Sequence, residues 1–512
     1  MKKRVLALAL VMVLLVATFA TGCTKKKTVA DNGEQVTLKW LLGGNGQPKD
    51  AEMVWAEYNK TLQKYLPNTT VDFEVIPYAD FAEKWRLMAA AQEEVDLLWV
   101  GWMLDLYEEA SKGSLLAMDE YLSLVPDLTA ELPEYLINLG RVNGKLYSIP
   151  NYQIQTSLPY GTKTQKALAE QYLDIEAVTK NFDKDTVPVK EDYKVFDDYL
   201  AKLKAEGKLQ KGVARSFLDY ILGCIGRGPW METVAGNACV DVRDPELKVY
   251  DRLTDFPGNQ DYFAIVNDWF RKGYIRKDIL SVQDHKADEY KEDGYVLWSH
   301  SVFDGDSERS SKTYGFDILS IPTHQLLYIP FTRPSSKTGI ARTTQNPERS
   351  MKLLELMNTA KGKELYNILT FGIEGTHYEK TEKENVINWL GASAPGVSSD
   401  DPYGFNNWAI GNIFNGYETQ FDTEGWNDYI KNDVNVNATP SPLIGFTLDT
   451  APIKLELAQY SSIMKEYEYV TFGTNDNWKD LIAERDAKLK KAGSDKIVEE
   501  VRRQVEEWKK TK

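Results

Sequence analysis

Within residues 36–113 the hydrophobic period switches repeatedly between two residues and three to four, which restricts the architecture more than any other feature of the chain. Val36, Leu38 and Trp40 alternate with polar neighbours and predict a strand, followed by the turn residues Gly43-Gly44-Asn45-Gly46-Gln47-Pro48. From Met53 to Leu66, the residues Val54, Tyr58, Leu62 and Tyr65 share one helical stripe, which Pro67-Asn68 ends. Val71, Phe73 and Val75 predict a second strand and residues 81–92 a second helix. The short run Asp96–Val100 reads as a strand buried on both faces, and 104–111 as a third helix ending near Gly113. Strands alternating with helices build a mainly parallel sheet covered by helices, so the fold class is α/β. In such sheets the carboxyl ends of the strands form the binding edge. The loops at 43–48 and at Gly101-Trp102 occupy that edge. No repeat with a period of about 20–50 residues is apparent, which argues against solenoids and propellers.

Ahead of this region, Lys2, Lys3 and Arg4 precede a charge-free apolar run, Val5–Ala20. The run is shorter than the roughly 20 residues a spanning helix needs. With the small residues after it, it reads as a secretory signal. Ala20-Thr21-Gly22-Cys23 resembles the bacterial lipobox, with Ala20 where Leu is usual. That resemblance implies cleavage before Cys23 and a lipid on its thiol. Thr24 to Gln35 is polar, holds Lys25-Lys26-Lys27 and reads as a flexible tether. No other stretch approaches a membrane span. The expectation is an exported chain held at the extracytoplasmic face of the cell membrane by lipid alone.

The net charge is −15, and the cations of the signal segment make the remainder more acidic still. This disfavours nucleic acid, which demands a basic footprint, and direct adhesion to anionic lipid. With 43% hydrophobic residues the chain can bury sizeable cores, and its length suits two to four domains. An exported address permits a disulfide between Cys224 and Cys239, though two buried free thiols are the favoured expectation. His285, His300, His324 and His377 lack metal-ligand spacing, and no cofactor is implied. Gly-x-Ser-x-Gly, His-Glu-x-x-His and phosphate-loop motifs are absent from the sequence, and no enzymatic activity is expected.

Four segments resemble bacterial extracellular solute-binding proteins of the oligosaccharide type (family 1), the binding components of ABC importers. They are Gly113–Tyr121, Asn143–Pro150, Asp293–Trp298 and Tyr314–Ile318. Three more, Asn346–Lys352, Phe371–Tyr378 and Ser441–Phe446, are similar to the aldouronate-transport binding component and its C-terminal domain of unknown function. Together, in this order and spacing, they cover nearly all of 36–512. The resemblance implies a two-lobed, periplasmic-binding-protein-like (Venus flytrap) fold with multiple interlobe crossings and extra C-terminal helices. After a signal peptide (1–22) and a lipidated tether (23–35), it implies lobe one at 36–153 and 319–390, and lobe two at 154–318 and 391–512. Crossings are expected near 151–155, 315–322 and 380–400. Further implied are a monomer, capture of an oligosaccharide, including one that contains uronic acid, and delivery to the membrane subunits of an ABC permease.

A sugar presents apolar C–H faces and a rim of hydroxyls, so aromatic walls with a few placed polar groups are the features to seek. Of the 13 Trp, Trp102, Trp230, Trp298 and Trp408 fall at turns or strand ends and are the platform candidates. Trp55, Trp85, Trp269 and Trp508 fall on helices and are expected to pack. Asn45, Gln47, Tyr152, Gln153, Glu374 and Asn412 are the polar candidates. Arg227, with Arg333 as an alternative, is placed to pair bidentately with a uronate carboxylate. The polar stretch 304–312 reads as an exposed loop, and Ile497, Val501, Val505 and Trp508 mark one face of a packing helix. Three other readings stay open here. A secreted glycosidase needs two carboxylates about 5 to 9 Å apart across a sugar cleft. A binder of peptides or other non-sugar solutes would offer fewer exposed aromatic faces, and a surface scaffold would keep its cleft closed.

Overall fold

The computed structural model describes residues 33–157, 160–281, 294–323, 327–331, 336–391, 394–396 and 401–511. Cys23, the signal segment, most of the tether, His285, His324 and Arg333 lie outside the described residues.

Strands β1 (Val36–Gly44), β2 (Thr69–Pro77) and β3 (Leu97–Val100) run parallel with β1 in the middle. Helices α1 (Ala51–Leu62) and α2 (Tyr78–Ala90) connect them. Helix α3 (Leu106–Lys112) starts where the Asp105 carboxylate accepts from the Glu108 N–H at 2.7 Å, and ends at Gly113 with φ of 74°. After β4 (Ser148–Pro150) the chain leaves this sheet.

A second set of strands follows: β5 (Tyr160–Gln165), β6 (Gly212–Val213), β7 (Met231–Ala235), β8 (Ala238–Asp241) and β9 (Val249–Asp251). Then come α4 (Gly258–Arg271), β10 (Tyr295–Ser301), α5 (Asp306–Tyr314) and β11 (Ile318–Pro322). The second sheet has the order β11-β5-β10-β6, and β9-β8-β7 form a separate antiparallel ribbon. Strand β12 (Lys337–Ile340) returns to the first sheet between β3 and β4, antiparallel to both, giving β2-β1-β3-β12-β4. Each sheet has its own core, around Leu41, Phe81 and Trp99 in the first and Phe217, Trp269 and Leu297 in the second.

Helices α6 (Pro347–Asn358) and α7 (Lys363–Phe371) cover the first sheet. The C-terminal helices α8 (Lys454–Glu466), α9 (Trp478–Lys491) and α10 (Ser494–Lys509) cover the other half. Ile497, Val501 and Val505 of α10 pack on Ala238, Val240 and Val249, the face that the apolar spacing predicted. Trp478 and Ile482 of α9 meet Phe263 of α4.

Three segments differ from the sequence expectation. Residues 318–322 do not cross between lobes: they form β11, paired with β5 from Ile318–Gln165 to Pro322–Gly161, and the chain crosses only afterwards. Phe405, Ala409 and Ile410 pack in the first core, so the chain has not yet left lobe one at 391. The polar stretch read as a loop is helix α5. Its buried face is held by charge and hydroxyls instead of an apolar stripe. The Lys163 ammonium lies 2.8 Å from the Asp306 carboxylate, with both side chains almost fully buried. Lys163 also donates to Ser310 Oγ at 2.8 Å, and Ser320 donates to Asp306 at 2.6 Å.

Glu232 of β7 is 5% exposed. Its carboxylate accepts from the Phe331 N–H at 3.0 Å and from Ser441 Oγ at 2.7 Å, joining three distant segments. Burial pushes its carboxyl up to about 7, with these two hydrogen bonds opposing. A raised folded-state value means that the folded protein holds the proton. Stability is therefore fully present below about 4.5, the ordinary value, and falls as the pH rises through 7. Glu232→Gln keeps the shape without the charge. It is expected to raise the melting temperature at pH 8 and to leave it unchanged near pH 4.5. Equal shifts at both pH values would contradict this.

Candidate interlobe site

The parallel register sets Gly44 opposite Pro77, and β3 ends beside them, so Asn45, Tyr78 and Trp102 leave the sheet at one edge. Trp99 is the keystone of that edge. Its fully buried indole lies where a Cβ on Gly101 would come within 2.0 Å and one on Gly43 within 2.5 Å, so both positions require glycine. The Trp99 Nε1–H donates to Ser336 Oγ at 2.8 Å, and the Asn151 amide donates to the same oxygen at 2.9 Å. Asn151 also donates to the Trp408 carbonyl at 3.1 Å. These bonds lock β3, the crossing segment and Trp408 together.

On this base stand three rings. Trp102 lies 5.0 Å from Tyr78 and 5.4 Å from Trp408 between ring centroids, and Tyr78 stacks on Trp408 at 6.3 Å. Trp102 is 54% exposed, which is unusual for so large an apolar side chain. Asn406 donates to the Tyr78 hydroxyl at 2.8 Å and fixes its ring, while burial pushes that hydroxyl well above the usual phenol range. Trp102 also lines a cavity of 630 Å³. One wall comes from the first lobe, with Tyr107, Asn138, Arg141 and Lys337. The facing wall comes from Ala235 of β7, Phe331 and the segment Gly445–Leu448. Arg141 is held by Asp119 at 2.7 Å, so its charge is already matched.

The remaining sequence candidates are placed as follows. Asn45 and Gln47 line a small separate niche of 50 Å³ on the same edge, where Asn45 donates to the Gly396 carbonyl at 3.3 Å. Tyr152 is buried edge-to-face on Phe414 at 4.8 Å, and the Gln153 carbonyl accepts from Asn435 at 2.8 Å, so both build the crossing. Asn412 is buried and accepts from the Phe414 N–H at 3.1 Å, a capping role. Glu374 is exposed and paired with Lys380 at 2.7 Å, away from the cavity. Trp298 is 1% exposed in the core of the second sheet, among Tyr295, Ile318 and Phe316. Trp230 is also buried, and the Arg243 guanidinium covers its face at 3.4 Å. These corrections share one cause: with no face open to solvent, neither indole offers a sugar platform. Arg227 lines a different cavity, described below. Tyr78 was missed, although it follows the carboxyl end of a parallel strand just as Asn45 and Gly101 do.

Cys224 and Cys239 are buried free thiols, and burial pushes each up to about 11. Among the described residues, no helix is long and apolar enough to cross a membrane. No group of three or more His, Cys, Asp or Glu among them could hold a metal ion.

Two sheets with separate cores, a chain that passes from the first to the second and returns to the first, and helices added at the C-terminus define the two-lobed α/β fold of extracellular solute-binding proteins. Residues 442–510 match a domain of unknown function, DUF3502, in the region where the resemblance placed a distinctive C-terminal domain. The N-glycan transport solute binding protein NgtS from Streptococcus pneumoniae superposes with a TM-score of 0.76 at 22% identity, over 92% of this chain and 99% of that one. The same protein in complex with Man5GlcNAc superposes with a TM-score of 0.68 at 22% identity, over 93% and 99%. An extracellular solute-binding protein from Bifidobacterium longum subsp. infantis gives 0.57 at 12% identity, over 93% and 99%. No curated protein sequence matches the chain. These three solved structures are of binding proteins.

Proposed function

We propose that this chain is an extracytoplasmic solute-binding protein that captures an oligosaccharide between its lobes and delivers it to an ABC permease. The observation that carries the reading is the exposed ring of Trp102, braced by Tyr78 and Trp408 at the mouth of a cavity walled by both lobes. An aromatic face left to solvent loses free energy unless something apolar covers it, and a pyranose face does so. A cavity of 630 Å³ falls in the range of about 300–1,000 Å³ that encloses small organic ligands. Hinge closure around the sugar would present the closed form to the permease. Anchoring through Cys23 in the cell membrane belongs to the same reading and rests on the lipobox resemblance.

The cavity favours a neutral sugar over a uronate. Two cationic side chains line it, Arg141 and Lys337; the Arg141 guanidinium is matched by Asp119, and Arg227, the guanidinium named for a uronate, does not line it. NgtS has been crystallised with mannose–N-acetylglucosamine oligosaccharides, which makes this class the first to try. A ligand at 100 times its dissociation constant adds about 2.7 kcal/mol to the folded state. Man5GlcNAc is therefore expected to raise the melting temperature without being cleaved, and uronic-acid oligosaccharides to raise it less. Shifts from peptides alone would favour the non-sugar reading, and cleavage would favour a glycosidase.

A further inference from the structure

A second cavity, of 210 Å³, lies away from the interlobe site. It sits at the seam between the second core and the C-terminal helices. Its walls are the turn 223–227, the residues after β9, α4, and the helices α8 and α9. Three guanidinium groups line it, from Arg227, Arg252 and Arg485, with one carboxylate, Asp219. Two of these four charges are already matched. Asp219 lies 3.5 Å from Arg215, and Arg485 lies 2.7 Å from Asp486. Arg227 spends only its Nε–H, which donates to the Gly223 carbonyl at 2.6 Å. Among the described residues, no carboxylate lies within ion-pair distance of Arg227 or Arg252.

We infer that this seam is a binding site for a small oxyanion, a phosphate or a small carboxylate, held by Arg227 and Arg252. Two cations sharing one recess repel each other and have lost part of their hydration, so an anion between them relieves both costs. Burial, followed by the charge of Arg252, disfavours the charged form of Arg227, in keeping with a cation that lacks its partner. Guanidinium forks bind planar or tetrahedral oxyanions through paired N–H bonds. The recess is too small for an oligosaccharide but large enough for an ion of this kind. Asn259 and Tyr262 of α4 line the same space and shape it, their donors being spent on the carbonyls of Arg252, Leu253 and Thr471. Because α8 and α9 fall within the matched C-terminal domain, the anion would fasten that domain to the second lobe.

The test is calorimetric titration of the purified protein with inorganic phosphate and, separately, with malonate, at constant ionic strength set by chloride. Saturable one-site binding of at least one is expected, at least tenfold weaker in Arg252→Gln and largely kept in Arg252→Lys. Phosphate alone identifies a phosphoryl ligand, malonate alone a carboxylate, and both a general oxyanion site. Man5GlcNAc affinity measured on Arg252→Gln, expected to equal wild type, reports that the variant is folded independently of the anion. Absence of saturable binding by either anion, or wild-type anion binding in a folded Arg252→Gln, overturns the proposal.

Discussion

Trp102→Ala is expected to weaken oligosaccharide binding by about 10- to 100-fold and to leave the melting temperature of the free protein nearly unchanged. The two halves have one origin. With 54% of the residue exposed, the folded protein without ligand gains little from the indole. A sugar laid on that face buries it, at about 1.5–3 kcal/mol for a large apolar side chain, and each 1.4 kcal/mol is about tenfold in affinity. Trp298→Ala should do the reverse. Its ring is 1% exposed in the core of the second sheet, so truncation costs about 3–5 kcal/mol of stability through the cavity it leaves. Titration and melting of the two variants side by side check this. Wild-type affinity in Trp102→Ala would place the platform elsewhere.

Asp306→Ala should be among the most damaging single substitutions outside the apolar cores. It removes the carboxylate 2.8 Å from the Lys163 ammonium and leaves that cation buried without a counter-charge. Breaking such a pair from one side costs about 3–5 kcal/mol. The Ser310 and Ser320 hydroxyls, now bonded to the pair, lose partners as well. Replacing both members with apolar residues, as in Lys163→Met with Asp306→Ala, removes the stranded charge and should recover most of the loss. Urea unfolding of the single and double variants reads this directly. A double variant as unstable as the single one would show that packing of α5, and not the ion pair, sets the cost.

The first sheet was legible because its strands and helices carry different hydrophobic periods, and Leu38, Trp40, Val54 and Tyr58 point inward as that pattern requires. Strand polarity placed the loops after β1 and β3 at one edge of the sheet, and Trp102 follows the carboxyl end of β3 there. Helix α5 was not legible, because Asp306 and Ser310 bury polar groups that leave no apolar stripe. Among the tryptophans, a position after a turn or at a strand end did not report burial. Trp230 is roofed by Arg243, distant enough in sequence to escape local patterning, and Trp298 is enclosed by strands on both sides. The pairing of Arg227 with Arg252 also needed the fold, since a turn before β7 and a loop after β9 meet only in three dimensions.

Calorimetric titration of Man5GlcNAc into wild-type protein and Trp102→Ala is the measurement to make first. Saturable, one-to-one heat in the wild type, tenfold or more weaker in the variant, is the result expected of sugar capture between the lobes. No heat from this or any other oligosaccharide, with saturable binding of a peptide instead, would contradict it.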